Sequence, residues 1–159
     1  VFDPMDFTSL ALVKLNDKVQ RRTTPGFELA ETVLFVSGIQ HYAETPENLE
    51  KAAPEVQALL RELPSVWDDS RYVDGYPGRF AVFARRGGTR WYVAGINADA
   101  QPRTLRLNLA ELGVAGRGAR LIADGDGPLG LASRRIEVGP AQTVDVALPA
   151  RGGFVLQVD

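Results

Sequence analysis

The sequence predicts an α+β chain in which a short parallel α/β layer precedes an antiparallel β-sandwich. Apolar residues recur at helical spacing between residues 24 and 63, and at every second position from about residue 77 onward. Proline-led caps, Thr24-Pro25 and Thr45-Pro46-Glu47, open the helical segments. Glycine-rich turns then divide about seven short strands at even spacing, the pattern of a sandwich.

In chain order, Thr24 reads as an N-cap and Pro25 as a first-turn residue. Phe27, Ala30, Val33 and Leu34 form an apolar stripe with Glu28 and Glu31 between them, and Gly38 ends the helix. IQHYAE (39–44) is a short strand. Glu47 after Thr45-Pro46 favours a new helix start, because an acid complements the positive N-terminal end. In PEVQALLREL the residues Val56, Leu59, Leu60 and Leu63 share a stripe, and Pro64 stops it. Strand, helix, strand, helix is the order of a parallel layer. So few strands and helices leave bare edges and apolar stripes, so this half requires neighbours.

Residues 66–76 read as a joint. Beyond it, FARRGGTRWYVAGIN (83–97) is a hairpin with Gly87-Gly88 as its two-residue turn, which sets Ala84 opposite Trp91, Val82 opposite Val93 and Phe80 opposite Gly95. Its other face, with Ala81, Phe83, Tyr92 and Ala94, is also apolar, so a cover from the helical half or from further chain is expected. Arg85 and Arg90 oppose each other in this register, and with Arg86 they read as a solvated hairpin tip rather than an anion site. RTLRLNL (103–109) places Leu105, Leu107 and Leu109 on one face; LIAD, RIEV, TVDVAL and GFVLQV follow as strands.

The 159 residues are 45% hydrophobic and 24% charged, ordinary for a globular chain. A net charge of −2 gives no general pull on phosphate or anionic membranes, so nucleic acid is not an expected partner. The absence of cysteine removes disulfides, thiolate nucleophiles and cysteine zinc sites. No stretch reaches the ~18 apolar residues of a membrane span, and the first ten residues lack the pattern of a signal peptide. The chain opens without an initiator methionine in a strand-like run, and reads as part of a longer protein.

Several stretches together resemble glycoside hydrolase family 97, the bacterial α-glucosidases and α-galactosidases. They are DPMDFT (3–8), RRTTPGFELA (21–30), VLFVSGIQHYAETPENL (33–49), ELPSVWDDSRYVDGYPG (62–78), FAVFARRGGTRWYVAGIN (80–97), RTLRLNL (103–109) and the closing GGFVLQV. Family members look like an N-terminal sandwich, a central (β/α)8 barrel and a C-terminal sandwich. The resemblance implies that residues 1–65 are the last two βα units of such a barrel, 66–76 the joint, and 77–159 the C-terminal sandwich. It implies an intact enzyme that hydrolyses α-glycosidic bonds of an oligo- or disaccharide with paired carboxylates, in many members beside a calcium ion. Those carboxylates and calcium ligands lie upstream in the family. No catalytic residue, metal ligand or cofactor is therefore assigned to this chain, which is expected to be inactive alone. A periplasmic or secreted parent is implied; glucose against galactose, and inversion against retention, stay open. The missing N-terminal and barrel portions are the natural partners, and the bare stripes also predict self-association. The alternative is a non-catalytic carbohydrate-binding or interaction sandwich, with Tyr72, Tyr76 and Trp91 as its clustered aromatics. An independent small enzyme using Asp6 and Glu44 lacks the strands to enclose a sugar.

Barrel active sites lie at the C-terminal ends of the strands. Asp6 after the first strand, and His41 and Glu44 after the second, are thus the expected sugar contacts in the intact enzyme. Each has a competing structural role: Asp6 in a turn beside Thr8, His41 in structural hydrogen bonds, and Glu44, where the family has aspartate, in supporting the next helix. Trp67-Asp68-Asp69 reads as an interface tryptophan rather than a sugar platform. Asp124-Gly125-Asp126-Gly127 lacks the later positions of a calcium loop and reads as a turn. Ser37-Gly38 lacks the first glycine of a nucleophile elbow.

Overall fold

The computed structural model describes residues 6, 8–13, 18 and 20–159. Most of the strand-like opening run, residues 1–5 and 7, lies outside the described residues. The first half holds β1 (Thr8–Ser9), α1 (Pro25–Leu34), β2 (His41–Tyr42), α2 (Pro46–Leu49) and α3 (Pro54–Glu62). β1 and β2 pair in parallel with Thr8 opposite His41, which gives the expected βαβα order. Both predicted caps form: the Phe27 amide donates to Thr24 Oγ1 and the Asn48 amide to Thr45 Oγ1, each at 3.3 Å. None of the described helices is long and apolar enough to cross a membrane.

The second half is β3 (Asp69–Tyr76), β4 (Phe80–Gly87), β5 (Arg90–Asn97), β6 (Arg103–Asn108), β7 (Gly118–Asp124), β8 (Leu131–Glu137), β9 (Thr143–Leu148) and β10 (Gly153–Val158). Six of these strands form an antiparallel sheet in the order β3-β4-β5-β10-β7-β8, and β6 pairs with β9 in a second sheet. Leu105, Leu107, Val144 and Val146 from the small sheet pack on Val82, Val93, Phe154 and Leu156 from the large one, closing the sandwich core. Arg106 and Asn108 point outward, as the alternation requires.

The residues expected as a joint instead supply β3, one of the two edge strands of the large sheet. Its pattern is hard to read because an edge strand pairs on one side only. Ser70, Arg71 and Tyr72 are exposed, and a bulge between Tyr72 and Asp74 breaks the period of two.

The hairpin is offset by two residues from the expected register. Ala84 faces Val93, Val82 faces Gly95, and the turn is Gly88-Thr89. Of the turn residues only Gly88 has positive φ, +60°, which is the type II′ arrangement. A shift of two preserves the faces, so the expected division into two apolar sides survives. It does not preserve the Arg85–Arg90 opposition: Arg85 lies opposite Tyr92, and Arg90 opposite Gly87. Gly87 is small for a separate reason, since a Cβ there would stand 2.6 Å from Pro64 Cγ.

The second face of the large sheet is covered by the helical half. Tyr92, Ala94, Ile122 and Val155 meet Leu29 and Val33 of α1, and Val56 and Leu59 of α3. Burying one such large apolar side chain is worth roughly 1.5–3 kcal/mol. A sheet stripped of its helices would expose that whole row, so the sheet serves as the shared middle layer of three.

Candidate functional site

The junction between α1 and the large sheet is where polar chemistry concentrates. At the helix start, Asp124 closes β7. Its Oδ1 accepts the Gly26 amide at 2.8 Å, and its Oδ2 accepts the Thr24 hydroxyl at 2.8 Å and the Gly153 amide at 3.1 Å. A carboxylate there satisfies a helix donor left without an intrahelical partner and meets the positive end of the dipole. Gly26 and Gly153 allow this approach. A Cβ on Gly153 would lie 2.5 Å from the Gly26 carbonyl oxygen, and one on Gly26 would lie 2.4 Å from that of Gly153.

At the helix end sits Arg85, only 8% exposed. Nε donates to the Val33 carbonyl at 2.6 Å, Nη2 to that of Leu34 at 2.8 Å, and Nη1 to Ser70 Oγ at 2.7 Å. The fork takes carbonyls that a helix terminus leaves unpaired, and its charge suits the negative end of the dipole. Burial draws its pKa below the usual arginine value. The solvated-tip expectation therefore fails for Arg85, which is a buried helix cap. It describes Arg86 better; that side chain stays partly exposed and donates to the Gly88 carbonyl at 2.8 Å.

A third contact anchors α3. Glu62 Oε2 accepts from Arg90 at 2.7 Å and from Gln157 Nε2 at 2.8 Å, while the Tyr92 hydroxyl donates to the Glu62 carbonyl at 3.3 Å. Trp67 packs edge-on against Tyr92 with ring centres 5.4 Å apart, the interface role expected of it. Asp68 accepts the Gly88 amide at 2.7 Å and so steadies the hairpin turn.

The sequence-derived sugar contacts lie on or beside the parallel pair β1–β2. His41 is exposed on β2. Asp6 is exposed and lies two residues ahead of β1, not after it, which puts it toward the N-terminal end of the parallel pair while Glu44 follows the C-terminal end. Glu44 is engaged structurally: Oε2 accepts the Val13 amide at 2.9 Å, and Oε1 accepts the Thr45 amide at 3.1 Å and Asn48 Nδ2 at 2.8 Å. Burial disfavours its charge, but the donors from Asn48, Val13, Thr45 and Leu12 outweigh that and hold its carboxyl below the ordinary value. Glu44 thus fixes the loop after β1 and the start of α2. Glu28 acts on the same loop by accepting the Ala11 amide at 3.2 Å and the Thr23 hydroxyl.

Glu31 on α1 behaves oppositely. Burial, together with the nearby Glu28 charge, pushes its carboxyl up to about 7. The neutral form is the favoured one in the fold, so its contribution is full below the ordinary value of 4.5 and is lost as pH rises through about 7. Glu31→Gln is expected to stabilise the chain at pH 8 by roughly 1 kcal/mol, a figure discounted for partial exposure, and to change little at pH 4. Urea melts at the two pH values check this.

What these residues do chemically is hold helices on a sheet. Among the described residues no three His, Cys, Asp or Glu side chains converge as a metal site.

Comparison with known proteins places this junction in context. The family model described as "Glycosyl-hydrolase 97 C-terminal, oligomerisation" matches residues 66–159. The chain is 36% identical over 154 residues to a protein of Streptomyces bingchenggensis named "Probable retaining alpha-galactosidase", covering 97% of this chain and 23% of the relative. It is 34% identical over 133 residues to the "Retaining alpha-galactosidase" of Bacteroides thetaiotaomicron, covering 79% and 20%. The chain thus spans less than a quarter of the length of these relatives. Among solved structures, a beta-arabinopyranosidase matches with a TM-score of 0.84 at 32% identity, over 97% of this chain and 25% of that one. A family 97 enzyme of a Pseudoalteromonas species in complex with acarbose matches with a TM-score of 0.80 at 28% identity, over 99% and 26%. Sequence, fold and family model agree that the chain belongs to glycoside hydrolase family 97, of which it carries the C-terminal part.

Proposed function

We propose that this chain is the C-terminal part of a retaining α-galactoside hydrolase, and that its own task is to seat the last βα units of the barrel on the sandwich. The observation that carries the reading is the three-point junction of Asp124, Arg85 and Glu62, which spends a buried guanidinium and two carboxylates on holding helices rather than on a cleft. The names of the similar α-galactosidases support the substrate class, and the acarbose and panose complexes of a related enzyme support a sugar ligand. In a retaining route one carboxylate attacks the anomeric carbon while a second, about 5–5.5 Å away, protonates the leaving oxygen and later activates water. Both carboxylates, and the ligands of any calcium ion, belong to the upstream chain. Among the described residues no three carboxylate or imidazole side chains converge to fit that ion, and both oxygens of Glu44 are taken by nitrogen donors. The sandwich also contributes to assembly in this reading, following the description of the family's C-terminal region.

The test is a panel of aryl α-galactosides, α-glucosides and β-arabinopyranosides offered to the intact parent and to the 159-residue chain. Turnover of the α-galactoside by the parent with retained anomeric configuration, and none by the chain, is expected. Preference for another sugar would reassign the substrate, and turnover by the chain would overturn the structural role.

A further inference from the structure

α1 runs diagonally over the second face of the large sheet and divides it. Its start is fixed at Gly153 and Asp124, at one end of β10 and β7; its end is fixed at Arg85 and Ser70, toward the other end of β4 and β3. On one flank α3 occupies the sheet, with Glu62 reaching Arg90, Tyr92 and Gln157. On the other flank the described residues leave an apolar groove of about 510 Å³. Ala81, Phe83 and Ile96 floor it, Leu34, Phe35 and Val36 wall it, and Arg85 closes one end. Val36 is 37% exposed on the wall, and Tyr72, 60% exposed, stands edge-on to Phe83 at 5.6 Å on the outer rim.

The lining tells what kind of occupant fits. Its polar side chains, Arg85 and Ser70, already bond to one another, and Arg85 also to two helix carbonyls. A sugar needs free donors and acceptors to replace its water, and this groove offers apolar surface instead. An amphipathic helix, about 10–12 Å across with an i, i+3, i+4 stripe, suits that surface.

The order of a (β/α)8 barrel says which helix. Each outer helix lies between the one before it and the one after it in the chain. α3 follows α1 through β2 and holds one flank. We infer that the groove on the opposite flank is the seat of the helix that immediately precedes β1 in the longer parent polypeptide. This rests on the reading of the chain as the end of a barrel enzyme; relatives of which it covers 23% and 20% have ample upstream chain to supply that helix. The groove is continuous with the α1–sheet interface, so the preceding helix extends an existing packing layer rather than creating a separate one.

The chain has no cysteine, so a thiol reports on one place in it. Val36→Cys is made in the 159-residue chain and in the parent enzyme, with Thr104→Cys on the outward side of β6 as reference. Maleimide labelling of each peptide is followed by mass spectrometry. The expected result is labelling of Val36→Cys at least tenfold slower in the parent than in the chain, relative to the reference, and independent of chain concentration. Equal rates in the two forms would overturn the inference. Protection that grows with chain concentration would also overturn it, by assigning the groove to a second copy. A parent inactive on α-galactosides, with the labelling ratio intact, would instead sink the functional reading and leave this one standing.

Discussion

Arg85→Met is expected to lower the stability of the chain by about 3–5 kcal/mol. The substitution leaves the Val33 and Leu34 carbonyls at a buried helix end without a donor, each a loss of roughly 1–3 kcal/mol, and removes the bond to Ser70 as well. Methionine keeps much of the apolar stem packing, so the loss reports on the fork rather than on a cavity. Arg85→Lys is expected to fall between the two, because a single ammonium cannot reach both carbonyls and Ser70 in the planar geometry of a guanidinium. Urea denaturation followed by helix and tryptophan signals measures all three proteins. A change below about 1 kcal/mol for Arg85→Met would show that water caps this helix equally well.

Gly153→Ala is expected to cost about 2–4 kcal/mol, because overpacking against a rigid neighbour cannot relax by a rotamer change. The new methyl would meet the Gly26 carbonyl oxygen at 2.5 Å and the Phe27 Cα at 2.7 Å, both backbone atoms of α1. The helix start must lift, and lifting breaks the Asp124 bonds to Gly26 and Thr24. Gly139→Ala is the control. Nothing lies within 4 Å of a Cβ there, and its effect should stay within about 0.5 kcal/mol. Combining Gly153→Ala with Asp124→Ala should give less than the sum of the two, since each already disrupts the same corner.

The sequence made some of this fold legible and hid the rest for physical reasons. The Thr24 and Thr45 caps are local signals, complete within four residues, and both form. The Leu105, Leu107 and Leu109 alternation is equally local, and its inward face is buried. The doubly apolar hairpin correctly demands a covered second face, and a two-residue error in its register does not alter that demand. β3 escapes because an edge strand with a bulge has no alternation to read. Asp6 precedes the paired residues Thr8–Ser9, and the rest of the DPMDFT run up to Phe7 lies outside the described residues.

Arg85 and Asp124 escape for a different reason. Their partners are mostly backbone groups far away in sequence, Val33 and Leu34 for one and Gly26 for the other, and a backbone carbonyl or amide has no residue-type signature. A signal did exist for Arg85. It shares the second hairpin face with Ala81 and Phe83, and a charge on a face that must be covered requires a buried acceptor. A helix C-terminus in the preceding segment was the nearest supply of such acceptors.

The central claim is that α1 and the six-stranded sheet open as one unit, because the sheet's second face and the helix ends are completed only by each other. Native-state hydrogen exchange on the 159-residue chain tests it most directly. The amides of Leu29 to Leu34 should open with the same free energy as those of β5 and β10, within about 1 kcal/mol. Helix amides that exchange through a separate opening several kcal/mol cheaper, while the strands stay protected, would contradict it.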